Sequence, residues 1–145
     1  MILRTVLRVT ILLACVTTLK VIILLACVTT TALAAGTRTD ILFTKGHDSE
    51  LYTGYIKGYD YDSYFFRAKK GQLVHISMAN ETPDLVLFGP GIDDSVSLGK
   101  YSPDLDDNGQ YTLPASGRYE LRVLQSRAEA RRNKIQNYKF KIQIK

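Results

Sequence analysis

The chain holds two histidines, His47 and His75, and two cysteines, Cys15 and Cys27, so nucleophilic or metal-dependent chemistry has few residues to draw on. His47-Asp48-Ser49 contains the residue types of a hydrolase triad. A triad, however, is assembled from residues that converge in space, and adjacent side chains of one loop cannot take up its geometry. His75 falls on the polar side of a segment that alternates as a strand, which suits a surface residue better than a ligand. Asp104-Leu105-Asp106-Asp107-Asn108-Gly109 opens like a calcium loop, with oxygens at alternate positions and a glycine for the turn. Its twelfth position is Ala115, where a bidentate glutamate is needed, and an acid-rich β-turn explains the same residues. Asp93 and Asp94 of Gly89-Pro90-Gly91-Ile92-Asp93-Asp94 are paired carboxylates, yet neighbours in one strand or loop diverge too far for acid and base work on a glycosidic bond. The residues therefore point to a protein that is not an enzyme and that calls for no cofactor and no metal.

Residues suited to binding are better represented. Tyr52, Tyr55, Tyr59, Tyr61 and Tyr64 crowd one region, and tyrosine and arginine are enriched at interface hot spots because they bury large areas while keeping a polar end. Gly58-Tyr59-Asp60-Tyr61-Asp62 reads as a turn, which places Tyr59 on the surface. Ser126-Arg127-Ala128-Glu129 has the S-x-x-E form of a capping box. A short helix starting there sets Arg127 and Arg131 four residues apart, on one face, with Arg132 and Lys134 adding charge beside them.

The elements that must position these residues are strands. Tyr138, Phe140, Ile142 and Ile144 alternate with Lys139, Lys141, Gln143 and Lys145. Tyr119, Leu121 and Val123 alternate with Glu120, Arg122 and Leu124, and Val74, Ile76 and Met78 with His75 and Ser77. Further strands are expected around Asp40–Thr44, Leu51–Lys57, Asp62–Ala68, Asp84–Phe88 and Gln110–Leu113, about eight in all. Lys70-Gly71 and Pro114-Ala115-Ser116-Gly117 are read as the turns of two hairpins. No segment keeps a long 3.6-residue apolar period. The expected fold class is all-β, an antiparallel β-sandwich with at most one short helix before the last strand.

Residues 1–34 read differently. They contain no acid and three bases, Arg4, Arg8 and Lys20, followed by an apolar stretch (Val21 to Val28) and Ala32-Leu33-Ala34, an A-x-A cleavage signature. The octapeptide ILLACVTT occurs twice, at Ile11–Thr18 and Ile23–Thr30, too short for a structural repeat and best explained as an in-frame duplication. The expectation is a signal peptide over 1–34 and a cysteine-free domain over 35–145, exported and held by its apolar core alone. The two uncharged stretches flanking Lys20 are rich in Thr and Ala, which argues against a bilayer span and for no stable membrane insertion after cleavage. Each cysteine follows Leu-Leu-Ala, so lipidation at Cys27 is the alternative fate of the leader, although Leu directly before Ala fits such a site poorly.

Charge is segregated along the remainder. Residues 35–80 net +1, residues 81–107 net −6 and residues 108–145 net +7. The sum is small, which argues against a nucleic-acid partner, whose footprint is a strong basic excess.

The stretches IKGYDYDSYFFRAKKGQ (Ile56–Gln72), LFGPGIDDSV (Leu87–Val96) and GQYTLPASGRYELRVLQSR (Gly109–Arg127), with the terminal KIQIK, resemble the periplasmic inhibitors of g-type lysozyme of Gram-negative bacteria. The resemblance runs from about Gly46 to Lys145. It implies a periplasmic β-sandwich whose partner is a g-type lysozyme and whose surface loops enter the enzyme's cleft, protecting peptidoglycan. The family's interface then falls on Tyr59, Arg127 and Arg131, with Gly91, Asp93 and Asp94 as a second contact. KKGQ and LPASGRYELRV also resemble β-sandwich modules appended to secreted proteases, which keeps an envelope- or glycan-binding module as the alternative.

Overall fold

The computed structural model describes residues 36–80 and 82–145. The leader, its duplication, its cleavage site and Cys27 lie outside the described residues. Among the described residues, nine strands and one helix follow in the order β1 (Arg38–Asp40), β2 (Ser49–Lys57), β3 (Tyr61–Ala68), β4 (Leu73–Met78), β5 (Asp84–Phe88), β6 (Val96–Ser97), β7 (Gln110–Thr112), β8 (Gly117–Leu124), α1 (Arg127–Arg131) and β9 (Ile135–Ile144). They form a five-stranded sheet, β1-β3-β8-β5-β6, and a four-stranded sheet, β2-β9-β4-β7. All pairs are antiparallel except β1 with β3.

The alternation that marks the strands also sorts their side chains. Tyr119, Leu121 and Val123 of β8 and Tyr138, Phe140, Ile142 and Ile144 of β9 are buried, and they meet Leu85, Leu87, Val74 and Ile56 in one core. A polar network is built into it. The buried Asp62 carboxylate accepts hydrogen bonds from the Thr37 amide (2.7 Å) and from the Tyr138 hydroxyl, and the Tyr64 and Tyr138 hydroxyls lie 2.8 Å apart. Burial, then these hydrogen bonds, push the Tyr138 hydroxyl far above the ordinary tyrosine range, so it stays protonated and available to donate. Gly54 on the neighbouring strand leaves room for that ring, since a Cβ there would collide with the Tyr138 hydroxyl.

Two expectations are corrected. The turns at Lys70-Gly71 and Pro114–Gly117 do not close hairpins: β3 and β4 lie in different sheets, as do β7 and β8. Every connection but the one from β5 to β6 passes from one sheet to the other. The two arches are instead bonded to each other, through Gly71 N–H to Leu113 O, Leu113 N–H to Gln72 O and Lys70 N–H to Ser116 Oγ, each 2.9 Å. The strand expected around Asp40–Thr44 ends at Asp40. Ile41 still donates to Phe65 O and is buried, but Leu42 is exposed, so the apolar alternation of Ile41 and Phe43 marks a packed connection rather than a ladder.

Candidate functional site

Helix α1 is five residues long and starts as its sequence dictates. Ser126 is the N-cap, its hydroxyl accepting from the Glu129 amide at 3.4 Å. The reciprocal half of the capping box is absent, because the Glu129 carboxylate pairs with Arg132. Buried Ala130 fixes the helix to the domain, and Asn133, at φ 52°, turns the chain into β9. Arg127 and Arg131 are exposed on one side of this turn of helix, and neither has an ion-pair partner among the described residues. Of the arginines near this helix, Arg132 alone is neutralised locally.

Tyr59 projects from the connection between β2 and β3 and is 64% exposed. That turn is built against the segment following α1. The Gly58 amide donates to Lys134 O at 3.3 Å, Asp60 N–H donates to Lys57 O at 3.0 Å, and Gly58 has φ 57°. A Cβ on Gly58 would stand 2.8 Å from Asn133 Oδ1, so glycine is needed for both conformation and close approach. Tyr59, Arg127 and Arg131 are thereby brought to one end of the sandwich.

Gln125, which belongs to no motif of the sequence, ties this end together. It is 7% exposed, and its side-chain Nε2 donates to Ile56 O at 3.3 Å and to Lys134 O at 3.0 Å. One amide joins the end of β2, the exit from α1 and the end of β8. Its Oε1 has no partner among the described residues, a desolvation cost consistent with a positioning role. The signal was available, because Gln125 continues the inward phase of Tyr119, Leu121 and Val123, where an unpaired polar residue is costly.

Gly91, Asp93 and Asp94 are at the opposite end. Strand β5 runs antiparallel to β8 with Asp84 opposite Leu124 and Phe88 opposite Glu120, so the loop that follows leaves at the start of β8 while α1 follows its end. Eight residues of strand separate the two by about 25 Å. Gly91, at φ 77°, packs on Pro114, and the Tyr119 hydroxyl lies 2.5 Å from Ala115 O and 3.2 Å from Pro90 O. Asp93 and Asp94 are exposed there. The second contact expected at Gly91, Asp93 and Asp94 thus lies a strand's length from the surface formed by Tyr59, Arg127 and Arg131 rather than beside it.

The remaining candidates are placed as follows. His47 is exposed in the loop before β2, and His75 faces outward on β4 with Nδ1 2.9 Å from Gly109 O. The Asp106 carboxylate accepts from the amides of Asn108 (2.9 Å) and Gln110 (2.8 Å), so it is spent on the turn itself. Among the described residues no three His, Cys, Asp or Glu side chains come together as a metal site. No helix among them is long and apolar enough to cross a membrane.

Residues 60–125 match the family described as the bacterial pre-peptidase C-terminal domain, a span that includes KKGQ and LPASGRYELRV. Over 115 residues, 79% of this chain and 86% of the relative, the sequence is 63% identical to the inhibitor of g-type lysozyme of Escherichia coli strain K12. Among solved structures, a mutant of the periplasmic g-type lysozyme inhibitor of Escherichia coli is similar at a TM-score of 0.75 and 61% identity, covering 77% of this chain and 100% of that one. The Salmonella Typhimurium inhibitor gives 0.75 and 60% over the same shares. The Aeromonas hydrophila inhibitor gives 0.60 and 30%, covering 76% of this chain and 97% of that one.

Proposed function

This chain belongs to the family of g-type lysozyme inhibitors, and we propose that it stops the enzyme by seating Tyr59, Arg127 and Arg131 in the cleft that cleaves peptidoglycan. The protein is a periplasmic inhibitor whose partner is a g-type lysozyme. It acts by binding alone, without catalysis, and reaches its compartment by cleavage of residues 1–34.

The observation that carries the site assignment is the convergence of one exposed tyrosine and two arginines without local ion pairs on a single end of the sandwich. Clefts that hydrolyse glycans are lined with carboxylates. A guanidinium meets a carboxylate through two parallel, charge-assisted hydrogen bonds, and a tyrosine alongside excludes water from them. Because Gln125 and the Gly58 turn hold the backbone that carries these groups before the enzyme arrives, the ordering cost of binding is confined to the side chains themselves. Asp93 and Asp94 lie at the far end of β8, outside this cluster.

Lysis of peptidoglycan by g-type, c-type and i-type lysozymes in the presence of the exported protein tests the assignment. Inhibition confined to the g-type enzyme is expected. Unimpaired g-type activity at stoichiometric excess would overturn it.

A further inference from the structure

The outward side of the four-stranded sheet differs from that of its partner. The five-stranded sheet carries outward charges of both signs, two pairs of them bonded: Arg118 with Asp40, and Arg122 with Glu120, the latter guanidinium lying 5.0 and 4.5 Å from the Tyr61 and Phe88 ring centres. On the four-stranded sheet, β2 presents Leu51, Thr53, Tyr55 and Lys57, and β9 presents Lys141, Lys139, Asn137 and Ile135 directly opposite them. Strand β4 adds Ser77 beside Lys141. No acid occupies an outward position on β2, β9, β4 or β7, and none of the three lysines has an ion-pair partner among the described residues. Leu51, Tyr55 and Ile135 stand between the lysines at 54%, 67% and 61% exposure.

We propose that this face rests on an anionic lipid surface, a peripheral contact on the flat of the sheet that adjoins the lysozyme-binding end at Lys57 and Ile135. Lysine is a flexible point charge suited to a diffuse layer of headgroups rather than to one fixed anion. Its stem lets the ammonium stay with the phosphates while apolar neighbours enter the interface. Exposed leucine and isoleucine side chains have no use against a solvated glycan, whereas tyrosine and aliphatic residues flanked by lysine suit the headgroup boundary. Charge complementarity and the interleaved apolar residues together select the lipid.

The test is co-sedimentation of the exported protein with vesicles of phosphatidylcholine alone or with 2:3 phosphatidylglycerol to phosphatidylcholine. Binding to the anionic vesicles only is expected, weakening as salt is raised. Lys139→Glu with Lys141→Glu should reduce it at least about fivefold per lysine, and Leu51→Ser with Ile135→Ser should reduce it at constant charge. Lys69→Glu with Lys70→Glu, equal in charge change but located in the arch between β3 and β4, should leave it near the parent value. Equal loss in the two charge-reversed proteins would reduce the effect to net charge and overturn the proposal. So would binding that survives Lys139→Glu with Lys141→Glu, or capture by peptidoglycan sacculi without binding to vesicles.

Discussion

The two ends of the sandwich are secured by the same strand, yet only one is proposed to meet an enzyme. At the start of β8, the Tyr119 hydroxyl reaches the carbonyls of Pro90 and Ala115 and fixes the loop carrying Gly91, Asp93 and Asp94. Just beyond its end, the Gln125 amide reaches the carbonyls of Ile56 and Lys134 and fixes the Tyr59 turn against α1. Each end is closed by one buried polar side chain bonding two carbonyls from separate segments. They differ in what is left projecting: Asp93 and Asp94 beside the Lys69–Lys70 arch at one end, and two guanidinium groups without ion-pair partners among the described residues, with a phenol, at the other. Against a carboxylate-lined cleft, the unpaired guanidinium groups attract, whereas Asp93 and Asp94 repel.

Substitutions at the two ends can break that contrast. Replacing Arg127 and Arg131 together by alanine removes both guanidinium groups and should weaken inhibition about a hundredfold or more, since a hot-spot truncation costs about 2 kcal/mol or more. Thermal melting should be nearly unchanged, because both side chains are exposed. An unaltered inhibition constant would remove the helix from the site. Tyr59→Ala should cost about thirtyfold by the same reasoning, and a variant that inhibits as well as the parent would leave the turn without a role.

Gln125→Leu separates positioning from contact. It strips the Ile56 and Lys134 carbonyls of their buried donor, so a loss of about 1–3 kcal/mol in stability is expected from denaturant titration. Inhibition should weaken several-fold in association rate even where the protein is fully folded. Its counterpart, Tyr119→Phe, should lose about 1 kcal/mol of stability yet inhibit normally, and a parallel loss of inhibition would mean that the ends are not independent. The smallest effect is expected for Asp93→Ala with Asp94→Ala, within about 0.5 kcal/mol in stability and with no loss of inhibition. A clear weakening would restore that loop to the interface.

Much of this arrangement was legible in the sequence. Period-two alternation identified β4, β8 and β9 and their buried sides, S-x-x-E located the cap of α1, and Gly58-Tyr59-Asp60 announced a turn with an exposed ring. Glycine and proline, however, report that the chain reverses and not which sheet it re-enters, so a sequence does not distinguish the arches at Lys70-Gly71 and Pro114–Gly117 from hairpins. Strand β6 has two residues, too few for any period, and β1 gains its place from parallel pairing with β3 rather than from its own composition. Gln125 was missed because its value depends on carbonyls 69 residues before it and 9 after. The separation of Asp93 and Asp94 from Arg127 follows from the antiparallel order of β5 and β8, which is a property of the assembled sheet.

That assembled order bears on when the domain can fold. The last two strands, β8 and β9, are interior to their sheets, β8 between β3 and β5 and β9 between β2 and β4. Until residues 117–144 are available, the pairs that can form are β1 with β3, β4 with β7 and β5 with β6, two-stranded fragments that are marginal in water. Four of the seven strand pairs are thus deferred until the last two strands are available. A chain that lacks its C-terminal end therefore has no stable fold, and it closes into its final form only once residues 117–144 are in place.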